Sequence, residues 1–393
     1  MELERIQQAL AAEQLDGWLF YDFRQSNPIA YQVLSLSQQD MYTRRWWYFV
    51  PRAGAPTAII SAVESHVLHA LPGERRVYRT WREMHSQVAD LLRPGMRVAM
   101  EYSPLNAIPY LSRVDAGTVE LVRSFGAEVI SSANISQRFV AQLSAEQVAS
   151  HLEAGRRLIA AKDALFAELS EQLRAGAALD EYGVQQRFSA LIREAGLVAG
   201  EPPIVAANAH AGNPHYEPTA QHSDPIRRGA LVLCDFWARL PGPDAIYADY
   251  TWVAFAGTHD EIPARQRVVF EIVRKARDAG IDFARQRVRH GQPVQGREVD
   301  DATRAVIAQE GYGDYFVHRT GHNIGTVDHG NGANIDNFET LDERVLLPNT
   351  CCSIEPGIYL PEFGIRSEVN LLIRDDDVEV TGAPVQEEIV ALL

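Results

Sequence analysis

Two pairs of carboxylates stand at spacings that could set them face to face. Asp235 lies in the apolar run Leu231-Val-Leu-Cys-Asp235-Phe-Trp, and Asp249 lies in Ile246-Tyr-Ala-Asp249-Tyr-Thr-Trp. Between them is Pro241-Gly-Pro-Asp244, a strong turn signal. Their midpoint is residue 242, inside that turn, so a β-hairpin closing there sets Asp235 opposite Asp249 on one face. The same arithmetic applies to Glu355, in Cys352-Ser-Ile-Glu355-Pro-Gly-Ile-Tyr, and Glu368, in Gly364-Ile-Arg-Ser-Glu368-Val. Their midpoint, 361.5, falls within Leu360-Pro-Glu-Phe-Gly364. Pro356 donates no ladder bond and is expected to distort the first strand of that hairpin. Like charges opposed in apolar strands repel, and buried carboxylates lose hydration unless something pairs with them. Two such pairs need a shared compensating charge. Divalent cations supply it, and carboxylates joined by one imidazole suit Mn, Co, Zn or Fe. The bland alternative is two hairpins whose acidic faces are turned to water.

Candidates for the imidazole lie close by. The string His318-Arg-Thr-Gly-His322-Asn-Ile-Gly325-Thr-Val-Asp-His329 puts three histidines within twelve residues, between the two carboxylate pairs. Asn213-Pro-His215-Tyr216 lies upstream. A lone histidine is more often structural than functional. Three of them, flanked by glycine and set between paired acids, favour chemistry.

The elements that must position these groups follow from periodicity. Ser144-Ala-Glu-Gln147 is a capping-box pattern. It opens a long helix with Val148, Leu152, Ile159, Phe166 and Leu169 on one face. Further helices are predicted over about 180–195, 263–279 and 298–309, ending at Gly196, Gly280 and Gly311. Strand-like runs cover about 204–206, 230–236, 246–255, 351–359 and 365–373. Helices followed by a hairpin, twice over, suggest two similar αββ halves. Residues 1–135 read as α/β, with a strand at about 17–23 and a hairpin of 45–50 and 57–60 around Pro51-Arg-Ala-Gly-Ala-Pro56. Short strands are expected at 97–100, 119–122 and 128–130. No His, Asp, Glu or Cys cluster converges there, so this half reads as a scaffold or substrate-gating domain. The division expected is 1–138 and 139–393.

Composition bounds the function classes. At 393 residues the chain exceeds the ~250–300 at which single cores stop growing. With 46% hydrophobic and 23% charged residues it is globular in composition. A net charge of −15 disfavours both nucleic acid, which needs Lys and Arg against phosphates, and an anionic membrane surface. Three cysteines, Cys234, Cys351 and Cys352, form no zinc-finger spacing and suit a reducing compartment. The first twenty residues lack the basic start and long apolar stretch of a signal peptide. No run of about 18 apolar residues occurs. The cytoplasm is the expected location.

The order Asp, Asp, His, Glu, Glu, each in its local string, resembles the creatinase/prolidase/methionine-aminopeptidase superfamily of "pita-bread" metallopeptidases. The strings are Cys-Asp-Phe around Asp235, Ala-Asp-Tyr-Thr around Asp249, His-Arg-Thr-Gly-His-Asn-Ile-Gly with His322, Ser-Ile-Glu-Pro-Gly-Ile-Tyr with Glu355 and Gly-Ile-Arg-Ser-Glu-Val with Glu368. The resemblance covers about residues 145–393, and the segment before it resembles the N-terminal domain of prolidases and aminopeptidases P. It implies an α+β pita-bread catalytic domain preceded by a smaller α/β creatinase-type domain. It implies two divalent ions per chain, Mn first, Co or Zn otherwise. Asp235 would bind one ion, His322 and Glu355 the other, and Asp249 and Glu368 would bridge them. His215 and His329 match two histidines that line the substrate site, His318 one beside the proline pocket, and Arg366 an arginine near the substrate.

A hydroxide held between the ions would attack the carbonyl before proline, with Glu355 moving the proton to the leaving nitrogen. The implied activity is hydrolysis of the Xaa-Pro bond, chiefly in dipeptides, by a homodimer acting on small peptides. Arg366 stands two residues before Glu368, on the same face of the predicted strand, and is expected to grip the dipeptide's carboxylate. The alternatives are an aminopeptidase on longer peptides, or a hydrolase of a non-peptide amide such as ectoine. A metal-free creatinase-like member or binding module is disfavoured by the five intact ligand positions. Three departures bear on substrate preference. Trp252 stands where the family usually has arginine, Ser367 and Val369 flank Glu368, and the first hairpin is longer by about three residues.

Overall fold

The computed structural model describes residues 1–37 and 42–393. Its contacts divide it into two units, Met1–Val140 and Ala141–Leu393. In the first unit, among the described residues, β1 (Gly17–Asp22), β2 (Trp46–Pro51), β3 (Thr57–Ser61), β4 (Glu74–Tyr78), β5 (Arg97–Met100) and β6 (Glu128–Ser131) form one sheet in the order β4-β3-β2-β1-β5-β6. The expected hairpin is β2–β3, with Trp47 opposite Ile59. Helices α1 (Leu3–Ala12), α2 (Pro28–Val33), α3 (Trp81–Ala89), α4 (Ala116–Ser124) and α5 (Ala133–Val140) alternate with the strands along the chain, except that β2, β3 and β4 follow one another without an α-helix.

The strand expected at 119–122 is wrong: these residues lie in α4. Asp115 caps that helix by accepting from the Thr118 backbone N–H at 2.9 Å. Val119 and Val122 are buried at a spacing of three, which is helical. Packing outweighed the β preference of a short branched run.

In the second unit the capping box at Ser144 and Gln147 opens α6 (Ala145–Arg174). Val148, Ile159, Phe166 and Leu169 are buried along it, whereas Leu152 is largely outside that stripe. It is followed by α7 (Glu181–Glu194), α8 (Ala264–Arg289) and α9 (Gly296–Gln309). The stop expected at Gly280 does not occur, because α8 runs on to Arg289. A Cβ at Gly280 would sit 2.3 Å from Thr303 Oγ1 of α9. The glycine serves close helix approach rather than termination.

Short strands β7 (Leu179–Asp180) and β9 (Pro225–Ile226) pair with each other. One sheet runs β18-β11-β10-β8, built from β8 (Ile204–Ala207), β10 (Leu231–Ala238), β11 (Ala248–Phe255) and β18 (Val390–Ala391). The other runs β12-β13-β16-β17, built from β12 (Asn323–Ile324), β13 (Cys351–Ile354), β16 (Val369–Ile373) and β17 (Val378–Thr381). Between β13 and β16 the chain folds through a smaller ladder of β14 (Gly357–Tyr359) and β15 (Gly364–Arg366). Each half is a helix pair followed by a hairpin. Even-numbered side chains of β10 and β11, among them Cys234, Phe236, Tyr250 and Trp252, enter the core of α6 and α7. Phe188 of α7 meets Phe236 with ring centroids 5.0 Å apart. Each large apolar side chain buried in this way contributes roughly 1.5–3 kcal/mol. That burial turns Asp235, Asp249 and Thr251 to the opposite face.

Candidate metal centre

The first hairpin has a different register from the one the sequence suggests. Asp235 is opposite Thr251, and Asp249 is opposite Trp237. The ladder ends at Ala238–Ala248, and Arg239 turns away to pair with Val198. The loop is therefore centred one residue later than the Pro-Gly-Pro signal. The slip of two residues keeps both aspartates on one face, as diagonal rather than direct neighbours.

The second hairpin has the expected register. Ile354 pairs with Val369 and Gly357 with Arg366, which brackets Glu355 and Glu368 as counterparts. The ladder breaks between those pairs, where Pro356 has no N–H to give. Released from it, Glu355 donates its backbone N–H to Thr320 O at 2.8 Å, and Glu368 donates to Thr251 O at 3.3 Å. Asn370 joins the hairpins. Its side chain accepts from Asp249 N at 3.0 Å and donates to Asp249 O at 2.6 Å. The Thr251 hydroxyl donates to Glu368 Oε2 at 2.8 Å.

These links gather the acids around His322. One donor atom each from Asp249, His322 and Glu368 lies within 4.8 Å of the others. His322 Nε2 is 3.5 Å from Asp249 Oδ2 and 3.5 Å from Glu355 Oε1. His322 is fixed from behind, its backbone N–H donating to Ser353 Oγ at 2.9 Å. Burial, then repulsion from Asp328 and Glu368, holds Asp249 well above the usual carboxylate range. Glu368 is raised in the same way by burial, Glu355 and Asp235. Burial pushes Glu355 up to about 7 against the pull of Arg366. His322 is held neutral by burial and by the neighbouring charges of His329 and Arg319. Asp249 Oδ1 and Glu368 Oε1 are cut off from solvent and have no hydrogen-bond donor. Oxygens of this kind beside a neutral imidazole fit a divalent cation, the one partner that satisfies several of them at once.

The other expected residues fall into two groups. Arg366 is buried, and its guanidinium is engaged: it donates to Asp235, to Thr251 Oγ1 at 3.0 Å and to Tyr359 OH at 3.0 Å. His318 joins that chain, with Nδ1 donating to Arg319 O at 2.6 Å and Nε2 accepting from Tyr359 OH at 2.7 Å. Burial and the charge of Arg366 lower His318 to about 3, so it stays neutral. His215 and His329 are exposed. The His329 ring packs 4.0 Å from that of His322. Trp252 faces away from the carboxylates. Lys162 Nζ of α6 lies 3.5 Å from its ring centroid, which removes it from substrate contact.

Sequence reasoning missed four residues of the site: Thr251, Asn370, Tyr359 and Asp328. The first two stand two residues from Asp249 and Glu368 on the same strand faces, a parity that could have exposed them. Asp328 stands next to His329 in the histidine string. Burial, with Asp235 and Glu355 nearby, pushes it up to about 8.

Residues 153–375 match the model of Metallopeptidase family M24. The chain is 34% identical over 169 residues to a Xaa-Pro dipeptidase of Lactobacillus helveticus, covering 42% of this chain and 40% of that protein. It is 30% identical over 174 residues to a Xaa-Pro dipeptidase of Pyrococcus furiosus, covering 44% of each. The chain thus spans less than half the length of these curated relatives. Among solved structures, the prolidase of Thermococcus sibiricus superposes with a TM-score of 0.64 at 20% identity over 99% of this chain and 98% of that one. An X-Pro aminopeptidase from Thermotoga maritima gives 0.61 at 20% identity, over 99% of each chain. The N-terminal domain of the FACT complex subunit SPT16 from chickpea gives 0.65 at 12% identity, over 99% of this chain and 97% of that one. At such identities the likeness shows the fold alone: a pita-bread domain after an N-terminal α/β domain.

Proposed function

The chain belongs to metallopeptidase family M24, and on that footing we propose that it hydrolyses the bond between a residue and a following proline, chiefly in dipeptides. The observation that carries this reading is the pair of donor-less carboxylate oxygens, Asp249 Oδ1 and Glu368 Oε1, beside His322. In this reading Asp235, Asp249, His322, Glu355 and Glu368 hold two divalent ions, with Mn preferred and Co or Zn as substitutes. Bound there, such ions lower the pKa of water toward neutrality and polarise the scissile carbonyl.

The protein's own groups do the rest. Glu355, raised to about 7, is suited to take a proton from water and deliver it to the leaving proline nitrogen. In this reading His329 and His215, both exposed, are the donors for the charge developing on the carbonyl oxygen. Tyr359, His318 and Arg366 form one hydrogen-bonded chain that ends on Asp235 and fixes its direction. The names of the curated relatives support the dipeptide substrate. The reading places the enzyme in the cytoplasm as a homodimer. Three buried, unpaired cysteines support a reducing compartment, and no helix among the described residues is long and apolar enough to cross a membrane.

The test is hydrolysis of Ala-Pro, Leu-Pro and Ala-Pro-Ala by purified chain, with Mn²⁺ and after chelation. Cleavage of the dipeptides that a chelator abolishes and Mn²⁺ restores is the expected result. Full activity in a metal-free preparation, or none on any proline peptide, would sink the reading.

A further inference from the structure

We propose that Asp328 is a sixth ligating side chain of this centre, adding a carboxylate beside His322 that none of the five family positions supplies. The inference rests on the metal-centre reading above and extends it. Asp328 lies in the bend after β12, a segment closed by the Gly330 backbone N–H donating to Asn323 O at 2.7 Å. Asn323 itself is anchored, its side chain donating to Cys351 O at 2.9 Å and accepting from Gly332 N at 2.9 Å. The loop is thus built to hold its tip in place.

At that tip, Asp328 Oδ1 is shut off from solvent and meets no hydrogen-bond donor. The other oxygen lies 3.6 Å from His329 Nε2. Donor atoms of His322, Asp328 and His329 fall within 4.8 Å of one another, and His322 belongs equally to the group it forms with Asp249 and Glu368. The two groups share His322, and Asp328 acts directly on Asp249, which sets it at the edge of the same cluster. Asp249 gives independent support. Its side chain is 6% exposed, its Oδ1 is also without a donor, and Asp328 is the strongest like charge upon it. Two adjoining acids that repel each other, each with one enclosed oxygen short of a donor, are satisfied together by a cation between them. An added carboxylate favours the harder ions, so the site should lean to Mn²⁺ over softer competitors.

The experiment is calorimetric titration of chelator-stripped, full-length protein with Mn²⁺, for wild type, Asp328→Asn and Asp328→Glu. Circular dichroism serves to check folding. Wild type should take two ions. Asp328→Asn should weaken one of the two sites by about tenfold or more, the scale of loss for a group that supports a metal ligand, and leave the other within about twofold. Asp328→Glu should restore most of the loss. It is the variant that decides if the asparagine form fails to fold. Two sites of wild-type affinity in both variants would overturn the proposal and leave the parent reading standing. A rise in KM for peptides with unchanged metal affinity would overturn it too, and would assign Asp328 to the substrate's amino group. A wild-type chain that binds no Mn²⁺ would overturn the parent reading first.

Discussion

Glu101 of the first unit and Asp249 of the second are both acids removed from water, yet their surroundings are opposite. Glu101 accepts from Trp18 Nε1 at 2.6 Å and from Asn27 Nδ2 at 2.7 Å, so both its oxygens have donors. Glu181 shows the same in the second unit, taking bonds from Ala207 N, His210 Nδ1, Tyr216 OH and Asp224 N. Asp249 faces other acids, and one of its oxygens has no donor. A buried acid with its donors in place is a structural knot. A buried acid left short of donors, among others in the same state, stores a demand for positive charge. Burial alone therefore does not separate scaffold from site; donor supply does.

The sharpest way to break this contrast is to neutralise one acid of each kind. Asp249→Asn should lose both ions and lower kcat by more than about 10³-fold, beyond the loss of one transition-state donor. Glu101→Gln should keep metal and activity while costing about 1–3 kcal/mol of stability, because its amide turns a donor toward Trp18 or Asn27. Metal analysis and thermal melts on both proteins check it. Equal metal loss in the two would erase the distinction.

The histidines give the next largest effect. His322→Ala should lose metal, whereas His329→Ala and His215→Ala should keep it and lower kcat by roughly 10²–10³. Equal metal loss in His329→Ala and His322→Ala would merge the two roles.

A smaller effect separates the two kinds of acid by pH. Burial raises Glu101 and Glu355 alike, Glu355 to about 7. The unfolded chain releases such protons near ~4.3. Above that pH the folded, metal-free protein holds more protons than the unfolded one, so its stability falls as pH rises through about 7. Urea unfolding at pH 5 and pH 8 should show a larger loss with chelator than with Mn²⁺. Glu101 contributes the same in both and cancels, so the difference reports the cluster. Identical pH slopes with and without metal would show that the acids are not held for a cation.

What the sequence made legible was parity and order. Strand alternation put Asp235 and Asp249 on one face even though the pairing slipped by two residues, because an even slip preserves the face. The Glu355–Glu368 register was legible because a short turn centred on Leu360–Gly364 leaves little freedom. The Pro-Gly-Pro loop was not, since Arg239, just past the end of β10, pairs with Val198, a distant partner in sequence that no local signal names. Asp328 was hidden for a related reason. A bend has no period, so nothing in the string said which of its side chains points inward. The effect of Trp252 was open in the sequence for the same reason: its face, turned into the core of α6 and α7, decides whether it can meet a substrate, and its identity does not.

The least effect is expected where the sequence and the structure differ most, at Arg366. Its strand position suggested a guanidinium free to grip the carboxylate of a dipeptide. Instead all three of its nitrogens have partners in the chain: Asp235, Thr251 and Tyr359. To reach a substrate carboxylate it would have to release Asp235 or Tyr359, giving up one charge-assisted bond to gain another, with little net gain for the dipeptide. Its work is to hold Asp235, and through Tyr359 the neutral His318, in place. Arg366→Lys keeps the charge but loses the planar fork. It should lower kcat/KM for Ala-Pro and Ala-Pro-Ala together, changing their ratio by less than about threefold, or roughly 0.65 kcal/mol. A penalty of about tenfold or more on the dipeptide alone would return Arg366 to the substrate, and would mean that the Asp235 contact gives way when a peptide binds.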